Sequence, residues 1–115
     1  MFHEIKIIGN LGKEPELKFT PDGKAVCTFS VAASNKKDET VWYRITTWEK
    51  LAEVCNQYLH KGSKVFVNGA LKADAQGNPR TYERKDGTWG ASFEVTASAV
   101  KFLSGKDEPA DEVPF

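Results

Sequence analysis

The sequence predicts an all-β fold: a five-stranded Greek-key barrel with one α-helix between its third and fourth strands, a long exposed hairpin and a disordered acidic C-terminal tail. The chain has 115 residues, enough for one domain with a core and too few for two. Apolar and polar residues alternate between turn signals along most of it, and a single segment has helical spacing. One helix among antiparallel strands in so short a chain is typical of an OB-type barrel, whereas a β-sandwich needs no helix between its middle strands.

The first half of the chain is predicted to form four strands, because short apolar runs alternate there with polar residues. These strands cover residues 5–8, 17–20, 25–33 and 41–48. The turn sequence Pro21-Asp22-Gly23-Lys24 joins the second and third strands as a hairpin. The polar and charged residues 34–40 are predicted to form a loop before the fourth strand.

The second half begins with the predicted helix, residues 48–61. Its apolar residues recur at helical spacing and Gly62 follows as a C-terminal stop. Thr46 or Thr47 is predicted to cap its N-terminus. A strand, a hairpin with two turn signals and a last long strand follow, over residues 64–72, 73–92 and 93–99.

Charge separates the chain into two parts, a barrel domain at residues 1–104 and an acidic tail at residues 105–115. The formal charge of the whole chain is zero, but the last ten residues contain four acids and one base. Removing them leaves 15 basic residues against 12 acidic ones, a net charge of +3. This mildly positive charge on the barrel domain permits nucleic-acid binding without requiring it. The tail is acidic, contains proline and lacks periodicity, which predicts disorder.

Several classes of protein are disfavoured by the sequence. No apolar run could span a bilayer and the N-terminus does not resemble a signal peptide, so we expect a cytoplasmic protein with no membrane partner. Cys27 and Cys55 have neither zinc nor disulfide-framework spacing, and are predicted to be buried hydrophobes in a reducing compartment. His3 and His60 belong to no metal-ligand or nucleophile pattern. We therefore expect no metal site, no cofactor and no enzymatic activity.

The strand at residues 41–48 carries aromatic and basic side chains on one face. Residues two apart on a strand share a face, so Val41, Tyr43 and Ile45 form an ordinary core face. The opposite, wet face carries Trp42, Arg44, Thr46 and Trp48, so two indoles and a guanidinium lie there. Flat rings beside a fixed positive charge suit an unpaired nucleic-acid strand. Alternatively, the indoles fill a second core or a subunit interface.

Several segments, taken in order, resemble the bacterial-type single-stranded DNA-binding proteins. The matching stretches are residues 7–12 with Pro15, 42–45, 50–54, 58–59, 61–63, 67–69 and 111–115. Each is a weak motif, but the ordered set covers almost the whole chain. The resemblance implies an OB fold and a cytoplasmic, nucleoid-associated homotetramer. It also implies sequence-tolerant binding of single-stranded DNA in replication, recombination and repair.

The residues predicted to bind DNA are rings that stack on bases and cations that meet phosphates: Trp42, Arg44, Trp48, Lys50, Lys61, Lys72, Arg80, Tyr82 and Arg84. The resemblance implies these roles, except that Arg80 and Arg84 are added because they are basic and share a strand face with Tyr82. Trp89 is the alternative to Tyr82 as the stacking ring of the hairpin.

The C-terminal end is predicted to be a docking segment. Acids followed by an apolar end suit a basic pocket with an apolar slot, and the resemblance implies that replication and repair proteins bind there. The residues concerned are Asp111, Glu112, Val113, Pro114 and Phe115. Alternatively, the tail is only solvated, or it competes with DNA for the basic groove.

The sequence departs from the family pattern in two places. Residues 34–40 carry no aromatic residue, where the family often has a fourth stacking ring, and the long linker before the tail is missing.

The alternative function is an OB-fold module specialised for RNA or for primosome-type assembly. A small hydrolase would need a nucleophile beside a base, which the sequence does not offer. A structural hub would act through the tail alone.

Overall fold

The computed structural model describes residues 2–36 and 39–103. Within these residues lie seven strands and one helix: β1 (Ile5–Leu11), β2 (Glu16–Phe19), β3 (Ala25–Lys36), β4 (Glu39–Trp48), α1 (Glu49–Tyr58), β5 (Lys64–Leu71), β6 (Arg80–Glu83) and β7 (Trp89–Phe102). The predicted docking segment at residues 111–115 and the domain boundary at residue 104 lie outside the described residues.

Five of the strands close into a barrel. Antiparallel ladders join β1 to β5, β5 to β7, β4 to β3 and β3 back to β1, while a parallel ladder joins β7 to β4. The other two strands are hairpin arms, β2 beside β3 and β6 beside β7. The helix α1 lies between β4 and β5, which are the third and fourth barrel strands in chain order. The predicted OB-type barrel is therefore confirmed.

Alternation along the strands fills the barrel interior with aliphatic and small side chains. Each barrel strand turns every second residue inward, and fully burying a side chain of this size stabilises the fold by about 1.5–3 kcal/mol. The buried residues include Ile7, Cys27, Phe29, Val31, Ile45, Val65, Val67 and Val95. The helix packs against β3 and β4 and buries Ala52 and Cys55. The predicted burial of both cysteines is thus confirmed.

The helix is shorter than predicted and its N-terminal cap is different. It spans Glu49–Tyr58, and the cap residue is Trp48, whose side chain makes no capping hydrogen bond. The hydroxyl of the buried Thr47 instead donates to the carbonyl oxygen of Cys27 at 2.9 Å. The prediction of Thr46 or Thr47 as the cap is wrong because their side chains are buried, and that of Thr47 bonds inside the fold.

The wet face predicted for β4 is correct at its aromatic and basic positions and wrong at Thr46. The Trp42, Arg44 and Trp48 side chains are exposed, whereas Thr46 is 8 % exposed. Thr46 is a short side chain that lies in register with Thr28 of β3 and Thr96 of β7.

The exposed hairpin predicted for residues 73–92 is present, and it is preceded by a separate turn. All four residues of the arm β6 are exposed, and the arm pairs with the start of β7. The Arg84 N–H donates to the Thr88 carbonyl and closes the tip of the hairpin. The preceding turn is organised by Asp74, whose carboxylate accepts the N–H groups of Gln76 and Asn78, each at 2.9 Å. The last strand is longer than predicted, because β7 serves both the hairpin and the barrel.

Candidate nucleic-acid interface

The register of three neighbouring strands brings the predicted aromatic and basic residues to one face. Residues directly opposite each other across a ladder share a face. Arg44 lies opposite Glu94 in the β4–β7 ladder, and Arg80 and Tyr82 lie opposite Ser92 and Gly90 in the β6–β7 ladder. Positions 90, 92 and 94 lie two apart on β7 and so share one face of the sheet. Arg44, Arg80 and Tyr82 therefore project from the same side.

An open groove of about 720 Å³ runs along this face. It contains two of the predicted rings and two of the predicted guanidinium groups, from Trp42, Tyr82, Arg44 and Arg80. Ser30, Thr40 and Ser92 add hydroxyl groups to its lining. We call this the ring-and-arginine groove. Four residues from two distant sequence segments, β4 and β6, are thus gathered in one concave surface.

Trp42 is seated on a glycine that sequence reasoning did not identify as part of the site. The indole is 53 % exposed, and a Cβ atom on Gly12 would lie 2.6 Å from its Cζ3 atom. Gly12 is held in place by its own N–H, which donates to the Ser30 carbonyl at 3.1 Å. The absence of a side chain at residue 12 therefore leaves room for the ring.

Tyr82 is supported by Arg84 on the exposed hairpin. The guanidinium carbon of Arg84 lies 5.5 Å from the centroid of the Tyr82 ring, a cation–π distance. Arg84 also donates from Nη1 to the Trp89 carbonyl at 2.8 Å. A Cβ atom on Gly90 would lie 2.5 Å from Arg84 and 2.9 Å from Tyr82, so both side chains cover this glycine. Arg84 thus binds within the hairpin as well as carrying a charge.

The two aromatic candidates of the hairpin lie on opposite faces. Tyr82 is opposite Gly90, whereas Trp89 is opposite Glu83, one position out of phase. Trp89 is 65 % exposed, but Tyr82 is the one that lines the groove with Trp42. The geometry therefore favours Tyr82 for a shared ligand.

The remaining predicted residues lie outside the lining of the groove. Trp48 is at the end of β4, six residues and about 20 Å from Trp42 along the strand, and is 40 % exposed. Lys50 is exposed on α1. Lys61 is exposed beyond it, with its backbone N–H donating to Glu14 at 2.7 Å. Lys72 lines a separate apolar pocket with Leu71 and Phe93.

Glu94 is a groove residue that sequence reasoning missed. It lies opposite Arg44 in register, and its Oε1 atom is 3.9 Å from Nε of Arg80. Its other oxygen accepts a hydrogen bond from the Ser92 hydroxyl at 3.0 Å. No local signal marks this acid, because it meets Arg44 only through the parallel β4–β7 pairing and Arg80 only through the β6–β7 hairpin.

Among the described residues, the groups with shifted pKa values lie outside the lining of the groove. Burial raises the pKa of the Cys55 thiol to about 12 and also raises the pKa of the Cys27 thiol. At the hairpin tip, hydrogen bonds from Thr88 lower the pKa of Asp86. Among residues 2–36 and 39–103, no group of three or more His, Cys, Asp and Glu side chains could hold a metal ion.

The closed barrel, its single helix and its outward groove of rings and arginines define an OB-fold protein. Within that class, residues 2–103 match the family model described as the single-strand binding protein family, and the chain belongs to this family. The resemblance seen in the sequence is thereby confirmed.

Three relatives show how far this similarity extends. The chain is 35 % identical over 121 residues to the single-stranded DNA-binding proteins of Neisseria meningitidis serogroup A (strain Z2491) and serogroup B (strain MC58), covering 98 % of this chain and 66 % of each relative. It is 33 % identical over 113 residues to single-stranded DNA-binding protein 1 of Chlorobaculum tepidum, covering 91 % of this chain and 67 % of that protein. The chain thus spans about two thirds of the length of these relatives.

In the described ranges no helix is long and apolar enough to cross a membrane.

Proposed function

We propose that this protein binds single-stranded DNA without strong sequence preference, by stacking bases on aromatic rings and contacting phosphates with basic side chains. The observation that carries this proposal is the ring-and-arginine groove, in which Trp42 and Tyr82 share one open surface with Arg44 and Arg80. Membership of the single-strand binding protein family and the names of the relatives support it.

The groove has the chemistry that selects unpaired strands. Stacking of a base on an aromatic side chain is worth about 1–3 kcal/mol and tolerates any base, because every base has a π-face. Trp42 and Tyr82 are both about half exposed, so their rings are accessible to bases. Duplex DNA keeps its base faces inside the stack, and double-stranded ligands are therefore disfavoured.

The arginines supply the second contribution to binding. Arg44 and Arg80 stand beside the rings, where phosphates of a stacked strand would pass. We infer that the strand continues along β4 toward Trp48 and the exposed Lys50, with Lys61 and Lys72 contacting further segments. Neutralising phosphates releases counterions, so the affinity falls as salt rises.

The wider role is that of a non-catalytic protein of DNA metabolism. We propose that it protects single-stranded DNA in replication, recombination and repair as a cytoplasmic, nucleoid-associated homotetramer. We also propose that residues 111–115 recruit replication and repair proteins, because their acidic and apolar character suits a basic pocket with an apolar slot.

A titration of labelled oligo-dT, followed by fluorescence anisotropy, tests DNA binding. Tight binding is expected at low salt, with much weaker binding of duplex DNA of the same length. Trp42→Ala should weaken binding by about 1–3 kcal/mol. Trp89→Ala is the matched control, since Trp89 faces away from the groove. Absence of oligo-dT binding at low salt would refute the proposal, and a preference for RNA of equal sequence would favour the RNA-specialised alternative.

Removal of residues 111–115 tests the docking segment separately. The truncated chain should retain its affinity for oligo-dT while losing capture of replication and repair proteins from the host extract. Loss of oligo-dT binding on truncation would contradict this division of roles. Light scattering should give the mass of four chains without oligo-dT, and that mass plus the bound oligonucleotide when oligo-dT is added.

A further inference from the structure

Glu94 lines a groove that otherwise suits an anionic ligand. Among the described residues that line the groove it is the one acid, and Arg44 and Arg80 are the two bases. Its carboxylate lies 3.9 Å from Arg80, and its other oxygen accepts from Ser92 at 3.0 Å. A phosphate entering the groove would therefore meet a carboxylate already beside one of the two arginines.

The two partners of this ion pair differ in their freedom to move. The Glu94 side chain is 17 % exposed and is held by the Ser92 hydroxyl, and its backbone carbonyl accepts the Lys72 N–H at 2.7 Å. The Arg80 side chain is 45 % exposed and lies on the hairpin arm β6. Arg80 can therefore turn away toward a phosphate, whereas Glu94 stays in the groove.

We propose that Glu94 is an internal competitor that occupies Arg80 in the absence of DNA and weakens the binding of phosphates to it. This inference rests on the proposed binding of single-stranded DNA. Each binding event exchanges the Glu94–Arg80 pair for a phosphate–Arg80 pair, and the carboxylate then repels the bound phosphate. Glu94 thus lowers the affinity of the groove and speeds release of the strand.

The test compares Glu94→Gln with the wild type by anisotropy of labelled oligo-dT on the full chain. The amide keeps the shape and the acceptor for Ser92 but removes the charge. Because a partly exposed ion pair is worth up to about 1 kcal/mol, the variant should bind about two- to fivefold tighter at low salt, and the gain should shrink as salt screens the charges. Melting temperature and circular dichroism report whether the variant is folded.

Two matched variants isolate the mechanism. Glu83→Gln makes the same charge change on the opposite face of the same hairpin, so it should leave the affinity nearly unchanged. In an Arg80→Gln background, Glu94→Gln should give a smaller gain than in the wild type, since the arginine it releases is absent and only the repulsion of the phosphate is relieved. A second measurement leaves Glu94 intact: Arg80→Gln should cost less affinity than Arg44→Gln, because Arg80 must first leave its carboxylate.

Three results would overturn the inference: Glu94→Gln binding no tighter than Glu83→Gln, a gain from Glu94→Gln that is as large without Arg80 as with it, or an Arg80→Gln loss at least as large as that of Arg44→Gln. If wild-type protein itself fails to bind oligo-dT, the proposed function fails. If the wild type binds and one of these three results appears, only the role of Glu94 fails.

Discussion

The Trp42 indole fills the space that a side chain at Gly12 would need. A Cβ atom at residue 12 would lie 2.6 Å from Cζ3 and 2.7 Å from Cη2 of the ring, closer than such contacts allow. The obstructing atoms are the far edge of a half-exposed side chain, so the ring can move outward. The loop after β1 therefore sets the position of the principal ring of the groove.

Gly12→Ala is expected to displace Trp42 and weaken binding of oligo-dT by about three- to tenfold, a part of the 1–3 kcal/mol that one stacked base contributes. Anisotropy titration gives the affinity, and the tryptophan emission maximum reports the new environment of the ring. In a Trp42→Ala background, the same glycine substitution should have no further effect. An equal loss in both backgrounds would show that Gly12 acts by another route.

Tyr82→Ala is expected to weaken oligo-dT binding by about 1–3 kcal/mol, because it removes a ring from the groove. Trp89→Ala removes a more exposed ring from the opposite face and should leave the affinity nearly unchanged. Both variants are measured by the same anisotropy titration. The reverse order of effects would assign the hairpin's stacking role to Trp89.

Gly9→Ala is expected to lower the free energy of unfolding by about 1–3 kcal/mol or more, because a Cβ atom there would lie 2.2 Å from the backbone oxygen of Ala32. The obstructing atom belongs to the backbone where β3 pairs with β1, and backbone cannot move aside as a flexible side chain can. Urea unfolding followed by circular dichroism measures the loss. Gly12→Ala is the comparison, with little change in stability expected, and equal destabilisation by the two would contradict this distinction.

The buried Cys55 predicts a loss of stability in alkaline solution. Its pKa is raised from 9.0 to about 12 in the folded protein, so between these values the unfolded chain releases a proton that the folded chain keeps. The contribution of the protonated Cys55 thiol to the free energy of unfolding is present below pH 9 and is lost as the pH rises toward 12. The urea midpoint should therefore fall over that range, and fall less in Cys55→Ala.

Thiol reactivity gives an independent measurement of the same burial. Native protein at pH 8 should resist alkylation at Cys55, and reaction should follow unfolding in urea. Rapid alkylation of the folded protein would show that the thiol is accessible.

Sequence patterns were sufficient to predict the features that depend on alternation within a single strand. The opposite faces of Trp42 and Tyr43, and the burial of Cys27 within its strand, follow from a period of two. The same rule placed Arg80 and Tyr82 on a common face before any pairing was known. That rule failed at Thr46, which is buried although it shares its face with the exposed Arg44. The cap prediction failed because Thr47 bonds to the carbonyl of Cys27.

The sequence by itself determined the barrel, its single helix and the amino acids that form the rings and cations of the groove, because these depend on residue type and short-range spacing. Only the tertiary structure decided that β4 and β6 flank one groove, that Tyr82 rather than Trp89 lines it, and that Gly12 and Glu94 belong to it. These relations depend on the register between strands far apart in the chain. Such a register is set by the packing of the whole barrel, and no single segment encodes it.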